Sequence, residues 1–168
     1  MLNEAVLTMK GEQQEVDTFT TSIDLSIDAY IPETYIKSEA EKLSWYKRIA
    51  TIETTEEYED MLEEMTDRYG DIPAPLIRLM DVALLREEAH QAWLLSIEQK
   101  GSKILFTMNP RASVRVEEID SFLKQYRNKM KIKPEANPVF LFEAAGVPKK
   151  ELLTKVREII KNIQKLLG

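Results

Sequence analysis

The sequence predicts an α+β fold: an N-terminal cluster of helices packed on a small mixed or antiparallel sheet, with a β-hairpin and a C-terminal amphipathic helix. Three observations lead there. Two capping-box patterns and a proline-bracketed helix start follow one another between residues 38 and 75, marking three successive helices. Two apolar runs on either side of Lys100-Gly101-Ser102 read as the two arms of a hairpin. The order helix cluster, hairpin, helix, strand, helix lacks the regular strand–helix alternation of a wound parallel sheet.

Each element has its own signal. Residues 2–10 read as a short helix, and residues 11–21 are polar except for Val16 and Phe19, a linker composition. Met1 therefore reads as the start of an excised fragment as much as a natural N-terminus. Ile23, Leu25 and Ile27 alternate with Asp24, Ser26 and Asp28, the period of a half-buried strand. Ser38 with Glu41 opens the first helix: the hydroxyl accepts from an orphan backbone N–H while the carboxylate reaches back to the cap. Leu43, Tyr46 and Ala50 form a narrow stripe on it, and Trp45 lies off the stripe, so this helix is either buried on two sides or leaves Trp45 partly exposed; burial is the expectation. Thr54 with Glu57 opens the second helix, which ends at Gly70, the residue suited to the left-handed backbone past a helix end. Pro73 and Pro75 bracket the start of the third, which runs to about Ala92. Leu95 and Ile97, then Ile104, Phe106 and Met108, form the hairpin. A helix over residues 117–126, short strands around Ile132 and over 139–142, and a final helix opened by Pro148 complete the chain. Leu152, Val156, Ile159, Ile160, Ile163 and Leu167 share one face of that last helix.

Composition narrows the function classes. A chain of 168 residues fits one domain with a sizeable core, and 43% hydrophobic with 31% charged residues is ordinary for a globular protein. The absence of cysteine excludes disulfides, thiolate zinc ligands and thiol nucleophiles, and makes a cytoplasmic address the natural reading. No apolar run approaches the ~20 residues that span a bilayer, and the sequence has no basic start followed by a hydrophobic signal core, so no membrane role is expected. The five glycines are dispersed, which excludes a phosphate-cradling loop and a dinucleotide fingerprint; no cofactor is expected. The net charge of −6 is uneven: residues 1–84 carry 7 Lys/Arg against 19 Asp/Glu, hence −12, and residues 85–168 carry 16 against 10, hence +6. The acidic half is a poor platform for a polyphosphate strand, whereas the basic half reads as solvated helix faces, a partner surface or a weak nucleic-acid surface.

The candidate residues each carry two readings. His90, the single histidine, aligns with Leu76, Leu79 and Ala83 on the third helix; it is a pH switch or base, or a partly buried ring bonded to a neighbour. On the second helix Tyr58, Met61, Leu62, Met65 and Tyr69 face inward, and Glu56, Glu59, Asp60, Glu63 and Asp67 line the opposite face. Carboxylates along one straight helix do not converge as a divalent cation requires, so no metal is expected; the face is solvated or docks a basic partner. Glu64 and Arg68, at the border of the two faces, are either an i,i+4 ion pair or the rim of a protein interface. Lys47-Arg48 is a basic pair available to Glu41, Asp28 or the acidic helix. The final helix is basic, with no Trp or Phe on its apolar face, and should dock on its own sheet rather than on a membrane.

One stretch carries a family resemblance. Ala29-Tyr30-Ile31-Pro32, Tyr35-Ile36, Lys42-Leu43-Ser44-Trp45-Tyr46-Lys47-Arg48-Ile49-Ala50 and Glu64-Met65-Thr66-Asp67-Arg68-Tyr69-Gly70-Asp71-Ile72-Pro73 resemble, in order and spacing, the C-terminal domain of bacterial transcription-repair coupling factors. Leu2-Asn3-Glu4-Ala5-Val6 is similar to the last helix of that family's motor portion. The resemblance is sharpest between Ile23 and Leu85, and past Leu94 the order of elements carries it. It implies residues 1–21 as linker and end of a preceding motor domain, and 22–168 as a C-terminal regulatory domain without catalytic residues. The implied role is autoinhibitory docking on the N-terminal repair module of a larger ATP-dependent DNA translocase. Docking masks recruitment of the excinuclease A subunit (UvrA) and restrains the motor until RNA polymerase is engaged in transcription-coupled nucleotide excision repair. Glu64, Asp67 and Arg68 match the family block that faces the repair module and are the implied interface residues; Tyr69 stands where the family has Phe. No direct nucleic-acid contact is implied. The alternative from another class is a nucleic-acid-binding adaptor that uses the basic C-terminal half.

Overall fold

Capping chemistry sets the first three helices in the computed structural model, which describes residues 19–168. Helix α1 is Glu39–Ile49, α2 is Thr55–Tyr69 and α3 is Ala74–Gln91. Ser38 and Thr54 accept the backbone N–H of Glu41 and Glu57, satisfying one orphan donor in each first turn. The return arm of each expected box is absent. The Glu41 carboxylate goes instead to Arg68 and Tyr69, because a guanidinium makes a stronger, charge-assisted bond than a backbone N–H. Glu57 accepts from the N–H of Glu53, one residue ahead of the cap. Gly70 closes α2 with φ +91°, a backbone that side chains with a Cβ rarely adopt. The expected helix over 2–10, the resemblance of residues 2–6 and the first part of the linker lie outside the described residues.

Helix α1 is rolled away from the stripe expected of it. Lys42, Trp45 and Ile49 are buried, whereas Leu43 is 57% exposed and Ala50 is exposed. Burying the indole removes far more apolar area from water than burying a leucine, so the ring decides the roll. Lys42 buries its stem and sends its ammonium out toward Glu39 at 3.5 Å.

The sheet has five strands: β1 Ser22–Asp24, β2 Leu94–Lys100, β3 Lys103–Met108, β4 Met130–Lys133 and β5 Val139–Glu143, in the order β1-β2-β3-β5-β4. β1 runs parallel to β2 and all other pairs are antiparallel. Although the alternating pattern continues to Ile27, pairing ends at Asp24. Beyond it the Ser26 N–H bonds to the Gln99 side chain at 2.8 Å and the Ile27 N–H bonds back to Leu25, turning the chain off the edge. The hairpin turns at Gly101, φ +64°. Leu94 faces Met108 and Ser96 faces Thr107, which leaves Leu95 as an extra residue in a bulge. The bulge puts Leu94 and Ile97 in the core together and leaves Leu95 half-buried, against the simple alternation of Leu95 with Ile97. The helix expected over 117–126 is a 3-10 turn, Val116–Glu118, continuing into α4, Ile119–Gln125. Further 3-10 turns lie at Arg127–Lys129 and at Lys149–Glu151, the latter leading into α5, Leu152–Gln164, with Leu152, Val156, Ile159, Ile160 and Ile163 buried.

Two hydrophobic clusters result. One unites Ile31, Ile36, Trp45, Ile49, Ile52, Met61, Met65, Leu76 and Met80 between α1, α2 and the first half of α3. The other lies between the sheet and α5, with Ile97, Phe106, Phe140 and Phe142 against Val156, Ile159 and Ile160. Helix α3 belongs to both, giving Leu76, Met80, Ala83 and Leu84 to the first and Leu85 and Ala89 to the second. The α+β expectation therefore holds, with the helical cluster joined to the sheet layer through one shared helix.

Candidate functional site

The C-terminal half of α2 and the facing surface of α1 form a charged rim built on aromatic rings. Trp45 is fully packed, and its Nε1–H donates to the Tyr69 hydroxyl at 3.3 Å. That hydroxyl donates to Glu41 at 3.3 Å, and Glu41 also accepts from Arg68 at 3.1 Å. Arg48 forms a two-pronged pair with Glu64, at 2.9 and 3.0 Å, while its guanidinium lies 4.2 Å from the centre of the Trp45 ring. Tyr35 closes the end of α2, its hydroxyl shared between the carbonyls of Gly70 at 2.8 Å and Met65 at 3.1 Å. The inward row of α2 is as expected: Met61 and Met65 are buried, and Tyr58, Leu62 and Tyr69 pack against the helical core.

Glu64 and Arg68 do not pair with each other. Each takes a partner on α1, because the inward tilt of both side chains brings them to Arg48 and Glu41 rather than to one another. The hydrogen bond from Arg48 holds the Glu64 carboxyl below its ordinary range, and the same bond raises the Arg48 guanidinium. Both candidates remain accessible: the Glu64 side chain keeps 43% and Arg68 49% of its surface in solvent. Asp67 is exposed between them and forms no ion pair among the described residues. The rim thus presents two charges held in fixed positions and one carboxylate free to meet a partner. Glu41 was legible as a capping residue and as one of several partners for Lys47-Arg48, and Arg48 only as half of a basic pair open to Glu41, Asp28 or the acidic helix.

The other candidates resolve toward structure. His90 Nδ1 lies 3.3 Å from the Thr21 hydroxyl, whose hydrogen goes to the Leu94 carbonyl at 2.7 Å, so the ring nitrogen is left to donate. Phe19 stacks on His90 at 4.3 Å and on Trp93 at 5.5 Å. Residues 19–21, within the segment of linker composition, thereby pack on the end of α3. Glu56, Glu59, Asp60, Glu63 and Asp67 are exposed along α2, and no three acidic or histidine side chains among the described residues gather as a metal site would require. In the basic half Lys100, Lys124, Lys155 and Arg157 pair with Glu98, Asp120, Glu158 and Glu88. No helix among the described residues is long and apolar enough to cross a membrane.

Residues 25–119 match the family model described as the TRCF domain. The transcription-repair-coupling factor of Bacillus subtilis (strain 168) is 36% identical over 117 residues, covering 70% of this chain and 10% of that protein. That of Staphylococcus epidermidis (strain ATCC 12228) is 35% identical over 114 residues, covering 67% of this chain and 10% of that protein. The chain accordingly spans about a tenth of the length of the curated relatives it matches. A crystal structure of the C-terminal domain of transcription-repair coupling factor shares the fold, with a TM-score of 0.75 at 23% identity, covering 88% of this chain and 93% of that one. The shared fold extends past residue 119, where the family model stops.

Proposed function

This chain belongs to the TRCF domain family, and from that membership we propose that it is a non-catalytic regulatory domain of a transcription-repair coupling factor. It docks on the N-terminal repair module of the parent protein, masks the surface that recruits the excinuclease A subunit, and restrains the DNA translocase. Residues 1–21 then carry the link from the motor and 22–168 the regulatory domain.

The observation that carries this reading is the rim of α2. Glu64 and Arg68 are immobilised by Arg48 and Glu41, so little side-chain entropy is lost when a partner meets them, while exposed Asp67 supplies an unspent charge. An interface that must open and close benefits from charged contacts, since complementary charges fix register without the permanence of a large apolar patch.

The test uses the full-length parent. Asp67→Lys reverses the unpaired charge and disturbs no internal bond, so it is the cleanest probe; Glu64→Lys and Arg68→Glu also repel Arg48 and Glu41 within the domain. Truncating one partner of a desolvated charge pair costs ~2–5 kcal/mol, enough to shift an intramolecular docking equilibrium more than tenfold. The expected result is stronger pull-down of the A subunit and higher basal ATPase activity, with unchanged circular dichroism of the variant domain. Folded variants that recruit the A subunit no better than the unmutated parent would remove this rim from the docking surface.

A further inference from the structure

β4 is the last strand of the sheet and pairs with β5 alone. In an antiparallel pair the backbone N–H and C=O groups of alternate residues point to the partner strand, so the other half of those on β4 point outward. Among the described residues Met130, Lys131 and Ile132 make no backbone hydrogen bond outside the sheet, and Lys133 spends only its carbonyl, on the Glu135 N–H at 2.9 Å. This edge is also cationic throughout. Residues 121–134 contain Lys124, Arg127, Lys129, Lys131 and Lys133 and no acid. Of these only Lys124 forms an ion pair among the described residues, with Asp120 at 2.9 Å. Met130 and Ile132 turn to the core, so Lys131 and Lys133 share the opposite face of the strand, both exposed. Their neighbours on β5 are Leu141 and Val139, which offer them no charge, while Glu143 of the same strand lies opposite Lys103.

We propose that β4 is a docking edge for an extended acidic segment of a partner protein, which adds to the sheet as a sixth strand. Main-chain bonds to the outward groups attach it, and carboxylates at alternate positions meet Lys131 and Lys133 across the new pair. The residues between those carboxylates are apolar and cover half-buried Ile132 at the border of the sheet core. The unspent backbone groups select a peptide over a nucleic acid: a phosphodiester chain meets the lysines but brings no row of donors for the outward carbonyls. Residues 127–134 also include no aromatic side chain on which a base would stack. A second copy of this chain fits no better, since β4 against β4 sets lysines face to face, the usual means by which an edge strand resists self-pairing. The same lysines thus repel a like edge and admit an acidic one. β4 shares no residue with the α2 rim, so its occupancy and the docking proposed above are separable.

The 168-residue chain can be titrated with a short fluorescent peptide of alternating Glu and Val, the same peptide with every backbone amide N-methylated, a counterpart with Lys for Glu, and a single-stranded oligodeoxynucleotide. The expected outcome is binding of the Glu–Val peptide, with slowed amide exchange at Met130–Lys133. The N-methylated form, which cannot pair as a strand, and the Lys–Val peptide should each bind at least tenfold more weakly. Lys131→Glu combined with Lys133→Glu should weaken the Glu–Val peptide at least tenfold and admit the Lys–Val peptide in its place, an exchange of preference that a damaged fold would not produce. Should that variant fold poorly, the N-methylated peptide tests the pairing on the unmutated chain. Equal binding of the N-methylated peptide, equal binding of the Glu–Val and Lys–Val peptides, preference for the oligonucleotide, self-association of the chain that protects the β4 amides without peptide, or no binding would each overturn the proposal. None of these outcomes bears on Asp67.

Discussion

Tyr58 donates its hydroxyl hydrogen to Asp81 across 2.5 Å, tying α2 to α3 at the edge of the helical core. Burial, and then the bond to Asp81, push the Tyr58 phenol well above its ordinary value of 10.0. A raised folded-state value means that the native state holds this proton more tightly than the unfolded chain. The resulting stability is complete below pH 10 and is lost as pH rises through the folded value. Tyr58→Phe should therefore cost about 1–2 kcal/mol at neutral pH, because a bond to a charged acceptor is lost and Asp81 stays half-buried without it. Urea denaturation checks the magnitude. The tyrosinate absorbance of the native protein should lose its late-titrating component in the same variant; an unchanged alkaline titration would mean that Tyr58 is not the late group.

At the scale of elements, the roll of α1 predicts opposite outcomes for two neighbouring apolar residues. Trp45→Ala should cost ~3–5 kcal/mol, as removal of a fully buried aromatic does, whereas Leu43→Ala, on the solvent side, should stay within ~0.5 kcal/mol. Chemical denaturation of both variants separates this roll from the one that the stripe Leu43, Tyr46, Ala50 suggests. That stripe misleads because it counts apolar positions without weighing their area. It also cannot see that Arg48 covers the Trp45 ring from outside. The helices themselves were legible, since Ser38, Thr54, Gly70 and Pro73 act locally and need nothing distant. Pairings were less so. Glu64 meets Arg48 from 16 residues away and Arg68 meets Glu41 from 27, so spacing along α2 pointed to a bond between Glu64 and Arg68 that tertiary structure replaces. The end of β1 at Asp24 and the bulge at Leu95 depend on the neighbouring strand, which a period of two does not record. The positions of the rim candidates on α2 were readable from the family block; their partners on α1 were not.

Across the whole molecule, α3 makes two hydrophobic clusters into one cooperative structure, and the two tryptophans report on them separately. Trp45 sits in the helical cluster and Trp93 packs on the sheet cluster. In Trp93→Phe and Trp45→Phe, the remaining tryptophan should give the same denaturation midpoint relative to circular dichroism of that variant. Ala83→Pro, near the junction of the clusters in α3, should break this coincidence, since proline inside a helix costs ~3 kcal/mol and severs the shared element. Coincident transitions in Ala83→Pro would show that the clusters are coupled by another route. The clasp of residues 19–21 has a mechanical consequence. A pull on the chain ahead of residue 19 loads the Phe19 stack and the Thr21–Leu94 bond first, then the three residues of β1, an edge strand with one neighbour. These can peel away and leave four strands, α5 and the helical cluster intact. Tension on that end would thus lengthen the chain by a short step before it reaches either core, giving slack while the α2 rim and the sheet behind it keep their shape.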